Sequence, residues 1–141
     1  MNRMTIEQLM TAVVVSVGMD DSLNVVNDIF DNTSFHHLLV LDEGILIGVI
    51  SDRDLLKALS PYIGTASETS RDVATLNKSA HQIMSRKPIT ISPQASIQDA
   101  IVLFNMHAIS CIPVTDESNK LLGIISWRDI FKALTKNKLE T

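Results

Sequence analysis

The chain has 141 residues, of which 45% are hydrophobic and 20% charged, and its formal net charge at pH 7 is -4. These values are typical of one globular domain or of two small interlocked halves. The negative charge and the scattered basic residues argue against nucleic-acid binding, which normally uses clustered Lys and Arg. No apolar run approaches the roughly 20 residues of a membrane helix, so we expect no association with a membrane. The single cysteine, Cys111, cannot form an internal disulfide, which favours a cytoplasmic location.

A repeat organises the whole sequence. The stretch from Gly48 to Asp54 reads Gly-Val-Ile-Ser-Asp-Arg-Asp, and the stretch from Gly123 to Asp129 reads Gly-Ile-Ile-Ser-Trp-Arg-Asp. Matching elements on both sides of these stretches predict two copies of one unit. We therefore predict repeat 1 over residues 1–60, a partly helical linker over 61–78, repeat 2 over 79–135 and a C-terminal tail over 136–141.

Each copy is predicted to open with a short helical stretch, from Thr5 to Met10 or from Ser79 to Met84. A β-branched run that favours a strand follows, from Val13 to Val17 or from Ile89 to Ile91.

A capped amphipathic helix comes next in each copy. Ser22 and Ser96 are predicted N-caps, and Asp99 stands where a capping box places its acidic residue. The helices carry apolar residues at i, i+3 and i+7, which must be buried against a sheet. These residues are Leu23, Val26 and Phe30 in the first copy and Ile97, Ala100 and Phe104 in the second.

Two strands joined by an acidic turn, and then a helix, complete each copy. The predicted strands are His37 to Leu41 with Ile45 to Ser51, and Cys111 to Thr115 with Leu121 to Ser126. The predicted last helices are Asp52 to Leu59 and Trp127 to Leu134, and residues 135–141 are expected to fray. A surface helix is expected in the linker, starting near Ser67. One copy therefore reads β-α-β-β-α, which predicts a mixed α/β (α+β) fold.

This duplicated unit resembles the tandem CBS domain (cystathionine β-synthase domain) module. The resemblance rests on Gly-x-x-Ser-x-x-Asp after each hairpin and on Ser110-Cys111-Ile112-Pro113-Val114 before the second, and it covers residues 6–59 and 80–134. It implies two pseudo-symmetric repeats packed sheet to sheet, with two clefts that bind an adenine nucleotide (AMP, ADP or ATP) or an adenosyl compound. It also implies a regulatory module that signals to a partner and pairs as a homodimer. The candidates for the dimer face are apolar residues of the last helices, and the alternative is that they only complete the core of the monomer. They are Leu55, Leu56, Trp127, Ile130 and Phe131.

The resemblance also implies the ligand-binding residues. One cleft would combine Ser51, Arg53 and Asp54 with Ile89, Ser110, Cys111 and Pro113, and the other would combine Ser126, Arg128 and Asp129 with Val15, His36 and His37. The first repeat departs from the pattern because Leu39 and His36 stand where the second has Pro113 and Ser110. We therefore expect the cleft with Ser51 and Asp54 to bind more strongly.

The residues themselves leave two interpretations of the repeated motif. Arg53 and Arg128 fall in the first turn of a predicted helix, where a cation costs about 0.3–1 kcal/mol. A bound phosphate would offset this cost, but Asp54 and Asp129 could do so alone as helix caps. The alternative function is therefore a ligand-free dimerisation or scaffold module. The glycines of the motif are expected to allow a close strand approach or a bulge.

Nothing in the sequence predicts catalysis or a metal site. His36 and His37 are neighbours in a strand and would point to opposite faces, while His81 and His107 stand apart. Cys111 is more typical of a small buried hydrophobe than of a nucleophile. No general acid–base pair or glycine-rich phosphate loop occurs, so we expect a protein that is not an enzyme and requires no cofactor.

Overall fold

The computed structural model describes residues 4–12 and 14–140, the last four of these by their backbone alone. Its α-helices and strands follow one another in the order α1 (Ile6–Leu9), β1 (Ser16–Gly18), α2 (Leu23–Asp31), β2 (His37–Asp42), β3 (Ile45–Ser51), α3 (Asp52–Ala58), α4 (Ser70–Ala74), α5 (Ile97–Met106), β4 (Cys111–Thr115), β5 (Leu121–Ser126) and α6 (Trp127–Glu140). The mixed fold class is confirmed. Two compact units result, one from residues 15–88 and one from 1–14 together with 89–141.

The unit of residues 15–88 is built on a three-stranded sheet. Strand β1 pairs with β2 in parallel, and β2 pairs with β3 in antiparallel register. Helix α2 starts at its predicted N-cap, where the Ser22 hydroxyl accepts a hydrogen bond from the amide of Val25 at 3.4 Å. Leu23 and Val26 of its apolar stripe are buried in one core with the sheet, and Phe30 packs against this core half-buried. The core residues are Val17, Leu23, Val26, Leu38, Val40, Ile50, Leu55, Ala80 and Met84.

The end of the linker belongs to this same unit. Helix α4 starts at Ser70, a few residues after the predicted start, because Thr69 caps it with Asp72 in a capping box. The amide of Ala80 donates to the carbonyl of Asp21 at 2.8 Å, and Ser85 exchanges two backbone hydrogen bonds with Val49. The sequence assigns Ser79 to Met84 to repeat 2, whereas the structure packs Ala80 and Met84 into the core beside β3.

The other unit has the same order of elements, but its first strand is reduced to a single β-bridge. Strands β4 and β5 pair in antiparallel register, and α5 starts at Ser96 with the predicted Asp99 capping box. The predicted strand from Ile89 to Ile91 is wrong, because only Ile91 forms a bridge, to Val114. Pro88 and Pro93 flank this segment and have no amide hydrogen to donate to a ladder. Strand β1 likewise covers Ser16–Gly18 instead of Val13 to Val17, and Val13 lies outside the described residues.

The N-terminal helix completes this second unit. The amides of Ile6 and Glu7 donate to the carbonyls of Ala95 and Pro93, both at 3.0 Å, and Thr11 exchanges two backbone hydrogen bonds with Ile124. Ile6 is fully buried. The sequence places this helix at the start of repeat 1, but it packs with β4 and β5. The core residues here are Ile6, Ile91, Ala100, Phe104, Ile112, Val114, Ile125 and Ile130.

The two repeated glycines have the predicted backbone role. A Cβ at Gly48 would stand 2.8 Å from the carbonyl oxygen of Ser85, and one at Gly123 would stand 2.7 Å from that of Thr11. In each hairpin the register shifts by one residue immediately before the glycine, as in a β-bulge. Both expectations, a close approach and a bulge, are confirmed.

Helix α6 is longer than predicted. It continues beyond Leu134 to Glu140, because residues 135–140 contain neither Gly nor Pro and include three residue types with good helix propensity. Residues 135–140, for which the sequence predicts a frayed tail, are helical in the structure, and Thr141 lies outside the described residues. No helix in the described part of the chain is long and apolar enough to cross a membrane.

Candidate functional site

The first copy of the motif forms a closed capping box at the start of α3. Asp54 accepts a hydrogen bond from the amide of Ser51 at 3.1 Å, and the Ser51 hydroxyl accepts one from the amide of Asp54 at 3.0 Å. The box uses only the Oδ2 oxygen of Asp54, and both side chains are half-buried. Ser51 and Asp54 are therefore oriented together by the helix that they cap.

His36 and His37 lie beside this copy. In the hairpin, His37 pairs directly with Ser51, and the amide of Asp52 donates to the carbonyl of His36 at 2.9 Å. Nδ1 of His36 lies 3.0 Å from Oδ2 of Asp52. The hydrogen bond from His36 lowers the pKa of the Asp52 carboxyl, so Asp52 is ionised at neutral pH.

Asp52 lies beside the motif and is not among the residues that the sequence interpretation named. An antiparallel hairpin brings the residue before its first strand next to the residue after its second, and His36 and Asp52 hold these two positions. The sequence could have predicted the contact between His36 and Asp52 from this pairing rule. In the other repeat the corresponding residues are Ser110 and Trp127, where the amide of Trp127 donates to the carbonyl of Ser110 at 3.3 Å.

The second copy repeats the box at the start of α6. Asp129 accepts hydrogen bonds from the amide of Ser126 at 2.8 Å and from its hydroxyl at 3.0 Å. Cys111 pairs with Ser126 across the hairpin, and burial raises the pKa of the Cys111 thiol. Because a raised pKa keeps the thiol protonated, Cys111 has the character of a packed hydrophobe that was predicted for it.

The two arginines of the motif are exposed. Neither Arg53 nor Arg128 forms an ion pair with any residue that the structure describes. Each stands in the first turn of its helix, between the N-cap Ser and the Asp of the box. Both guanidinium groups are therefore available to an anion.

Of the remaining predicted residues, Val15 is exposed, Ile89 is half-buried and Pro113 is buried. Pro113 pairs with Ile124, as Leu39 pairs with Val49 in the other hairpin, so Leu39 replaces the proline at an equivalent and equally buried position. Within each unit the structure thus brings the residue before the hairpin next to the Ser-x-x-Asp motif. The predicted combination of residues across the two units stays a prediction.

The residues predicted to form a dimer face differ in how much of each is exposed to solvent. Ile130 and Leu55 are 1% and 4% exposed and belong to the cores, whereas Leu56 and Phe131 are 74% and 58% exposed. Trp127 stacks on Phe104 at a ring distance of 4.6 Å and on Phe131 at 5.6 Å. Only Leu56 and Phe131 of this set offer a large exposed apolar surface.

Metal-binding geometry is absent from the described residues, in which no three His, Cys, Asp or Glu side chains are grouped to hold an ion. His36 faces Asp52, and His81 lies 4.0 Å from Asp20.

Comparison with known proteins settles the family. The family model of the CBS domain matches residues 6–61 and 80–136. The chain belongs to the CBS domain family. A CBS domain-containing protein of Dictyostelium discoideum is 29% identical over 136 residues, which cover 95% of this chain and 93% of that protein. Homoserine O-acetyltransferase of Methanococcoides burtonii is 29% identical over 127 residues, but these span only 23% of its length and 89% of this chain.

Solved CBS structures share the fold. The structure of CBSX2 in complex with AMP has a TM-score of 0.77 and 24% identity and covers 95% of this chain and 98% of its own. The CBS domain pair of protein MJ0100, in complex with 5'-methylthioadenosine and S-adenosyl-L-methionine, has a TM-score of 0.72 and 20% identity and covers 96% of this chain and 99% of its own. The chain is therefore a tandem CBS domain pair.

Proposed function

We propose that this CBS pair is a regulatory module that binds an adenine nucleotide (AMP, ADP or ATP) or an adenosyl compound and signals to a partner. The observation that carries the proposal is the doubled motif, in which Ser, Arg and Asp are held at a helix start and the arginine side chain has no ion-pair partner among the described residues. The adenosine compounds held by CBSX2 and MJ0100 support the same ligand class.

Each motif offers complementary groups to such a ligand. The guanidinium of Arg53 or Arg128 can bind a phosphate, and the Ser51 hydroxyl can donate its hydrogen to it. The Ser126 hydroxyl donates its one hydrogen to Asp129, so it must turn away from this carboxylate to bind a phosphate. The capping boxes use Oδ2 of Asp54 and Asp129, which leaves Oδ1 to accept from a ribose hydroxyl. We propose the other predicted residues as the walls that hold the base: Val15, His36, His37, Ile89, Ser110, Cys111 and Pro113.

Thermal unfolding with and without ligand tests the proposal. A ligand at a hundred times its dissociation constant stabilises the folded state by about 2.7 kcal/mol, which raises the midpoint by several degrees. We expect such a rise with at least one of AMP, ADP, ATP, 5'-methylthioadenosine and S-adenosyl-L-methionine. An unchanged midpoint with all five at millimolar concentration would exclude the proposed function.

A ligand-free dimerisation or scaffold module is the second candidate. It is favoured by the closed capping boxes, which satisfy Ser51, Asp54, Ser126 and Asp129 without any ligand. The exposed Leu56 and Phe131 would then form a homodimer face. Two measurements together identify this candidate. Size-exclusion chromatography with light scattering should show a dimer without ligand that Leu56→Glu with Phe131→Glu converts to a monomer, and none of the five ligands should raise the unfolding midpoint.

A further inference from the structure

The charged residues at the start of the two motif helices are matched except at the first position of each helix. Both contain Arg, Asp and Lys at the same positions, namely Arg53, Asp54 and Lys57 in α3 and Arg128, Asp129 and Lys132 in α6. At the first position α3 has Asp52, whereas α6 has Trp127. The first turn of α3 therefore carries two carboxylates and that of α6 carries one.

The extra carboxylate is fixed in place. Oδ2 of Asp52 is held by Nδ1 of His36 at 3.0 Å, and its backbone amide is held by the carbonyl of the same residue. The carboxylate is ionised at neutral pH, since the pKa of Asp52 is lowered. A phosphate that approached Ser51 and Arg53 would meet this fixed negative charge two residues from the Asp54 carboxylate.

The corresponding position in the other unit carries no charge. Trp127 is held by stacking between Phe104 and Phe131, and the residue before its hairpin is Ser110 instead of a histidine. Arg128 therefore faces one carboxylate in its own turn, which is already engaged by Ser126. A dianionic phosphate is less repelled here than at α3.

We propose that the two copies of the motif bind ligands of different charge, because one has Asp52 and the other Trp127 at the first position of its helix. The copy at Ser126 takes adenine nucleotides, whose phosphate is an anion. The copy at Ser51 takes adenosyl compounds whose 5' substituent has no negative charge. This inference rests on the proposed function, and for AMP it reverses the expectation that the copy at Ser51 is the stronger.

Isothermal titration with AMP and 5'-methylthioadenosine tests the division, because the two ligands share the adenosine and differ in the charge of the 5' group. Asp54→Asn and Asp129→Asn weaken one copy at a time while keeping an oxygen that can accept the capping hydrogen bond. We expect Asp129→Asn to abolish most AMP binding and to spare 5'-methylthioadenosine, and Asp54→Asn to do the opposite.

The decisive variant is Asp52→Asn in the Asp129→Asn background. Removing one fixed negative charge should strengthen AMP binding about five- to tenfold and leave 5'-methylthioadenosine binding within about twofold, given the usual size of partly screened charge interactions. Glu43→Gln is the matched control, since it removes one charge at the exposed hairpin turn of the same unit. Unfolding midpoints within a few degrees of the wild type establish that each variant is folded.

The outcomes separate the two levels of the proposal. If neither ligand binds the wild type, the proposed function fails for this class of ligand. If both bind but Asp52→Asn changes them equally, or Glu43→Gln acts as strongly, the division by charge is wrong while the proposed function stands. If Asp52→Asn strengthens AMP in the Asp54→Asn background instead, Asp52 acts on the other copy and the assignment is overturned.

Discussion

Single residues of the motif stabilise the fold whether or not they bind a ligand, and Asp54 and Asp129 are the clearest examples. Each closes a capping box with the N-cap serine, so Asp54→Ala or Asp129→Ala should cost about 1 kcal/mol of folding free energy because half of the box is lost. Asp99→Ala is the matched control, because Asp99 closes the same kind of box with Ser96 at 3.0 Å in a helix outside the motif. Only the first two variants should also weaken ligand binding, measured by titration at a temperature where all three are folded. Equal losses of affinity in all three would indicate that the capping role is the whole role of the motif.

The glycines of the motif give a second prediction at this scale. Gly48→Ala and Gly123→Ala should each destabilise the protein by about 1–3 kcal/mol, because the new Cβ would overlap a backbone carbonyl that belongs to a hydrogen-bonded neighbour. Chemical denaturation measures the loss. At Gly18 the nearest atom to a new Cβ is 3.6 Å away, so Gly18→Ala should cost much less. A comparable loss at Gly18 would contradict the steric explanation.

At the scale of elements, the capped helices and hairpins were predictable and the single-residue pairings were not. Ser22 and Ser96 predict the starts of α2 and α5 because capping is a local interaction within four residues. Ile91 misled the strand prediction because β-propensity depends on neighbours that the local sequence does not show. Of the candidate site, the Ser-x-x-Asp motifs were identified from the repeat, whereas the His36–Asp52 pair needed the hairpin register.

Helix α4 gives a prediction about pH at this scale. Asp72 accepts from the hydroxyl of Ser60 at 2.7 Å and from the amide of Thr69 at 2.8 Å, and these hydrogen bonds lower its pKa from the ordinary value of 3.8. A carboxyl whose pKa is lower in the folded state contributes stability above its unfolded pKa and loses it as the pH falls through the folded pKa. Asp72→Asn should therefore destabilise the protein at pH 7 and make little difference near pH 2. Urea denaturation of both proteins at the two pH values measures this, and an unchanged difference would show that the hydrogen bonds are indifferent to charge.

At the scale of the whole molecule, the units do not follow the repeats. A sequence repeat covers residues 6–61, but the compact unit covers 15–88, because α1 packs with β4 and β5 while Ala80 and Met84 pack with β3. Periodicity reveals which segments are equivalent, but not which sheet each short helix covers. The repeats were therefore predictable, and the composition of the units was not.

A comparison of fragments follows from this composition. A fragment of residues 15–88 contains the whole core of its unit and should show cooperative thermal unfolding by circular dichroism. A fragment of residues 6–61 has the repeat but lacks Ala80, Met84 and the strand pairing of Ser85, so it should unfold without a cooperative transition. Equal cooperativity in the two fragments would show that these segments are dispensable.

The packing of α1 with residues 89–141 also has a consequence for the order of folding during synthesis. Residues 15–88 are contiguous, so this unit can close as soon as Pro88 has left the ribosome. Ile6 and Thr11 are made earlier but must wait for Ile125 and Ile124, and this closure spans nearly the whole chain. Contacts of such sequence separation form slowly because a long loop must close first. Helix α1, although translated before residues 15–88, is thus among the last of the described elements to pack, and proteolysis of nascent chains should find it accessible until β5 emerges.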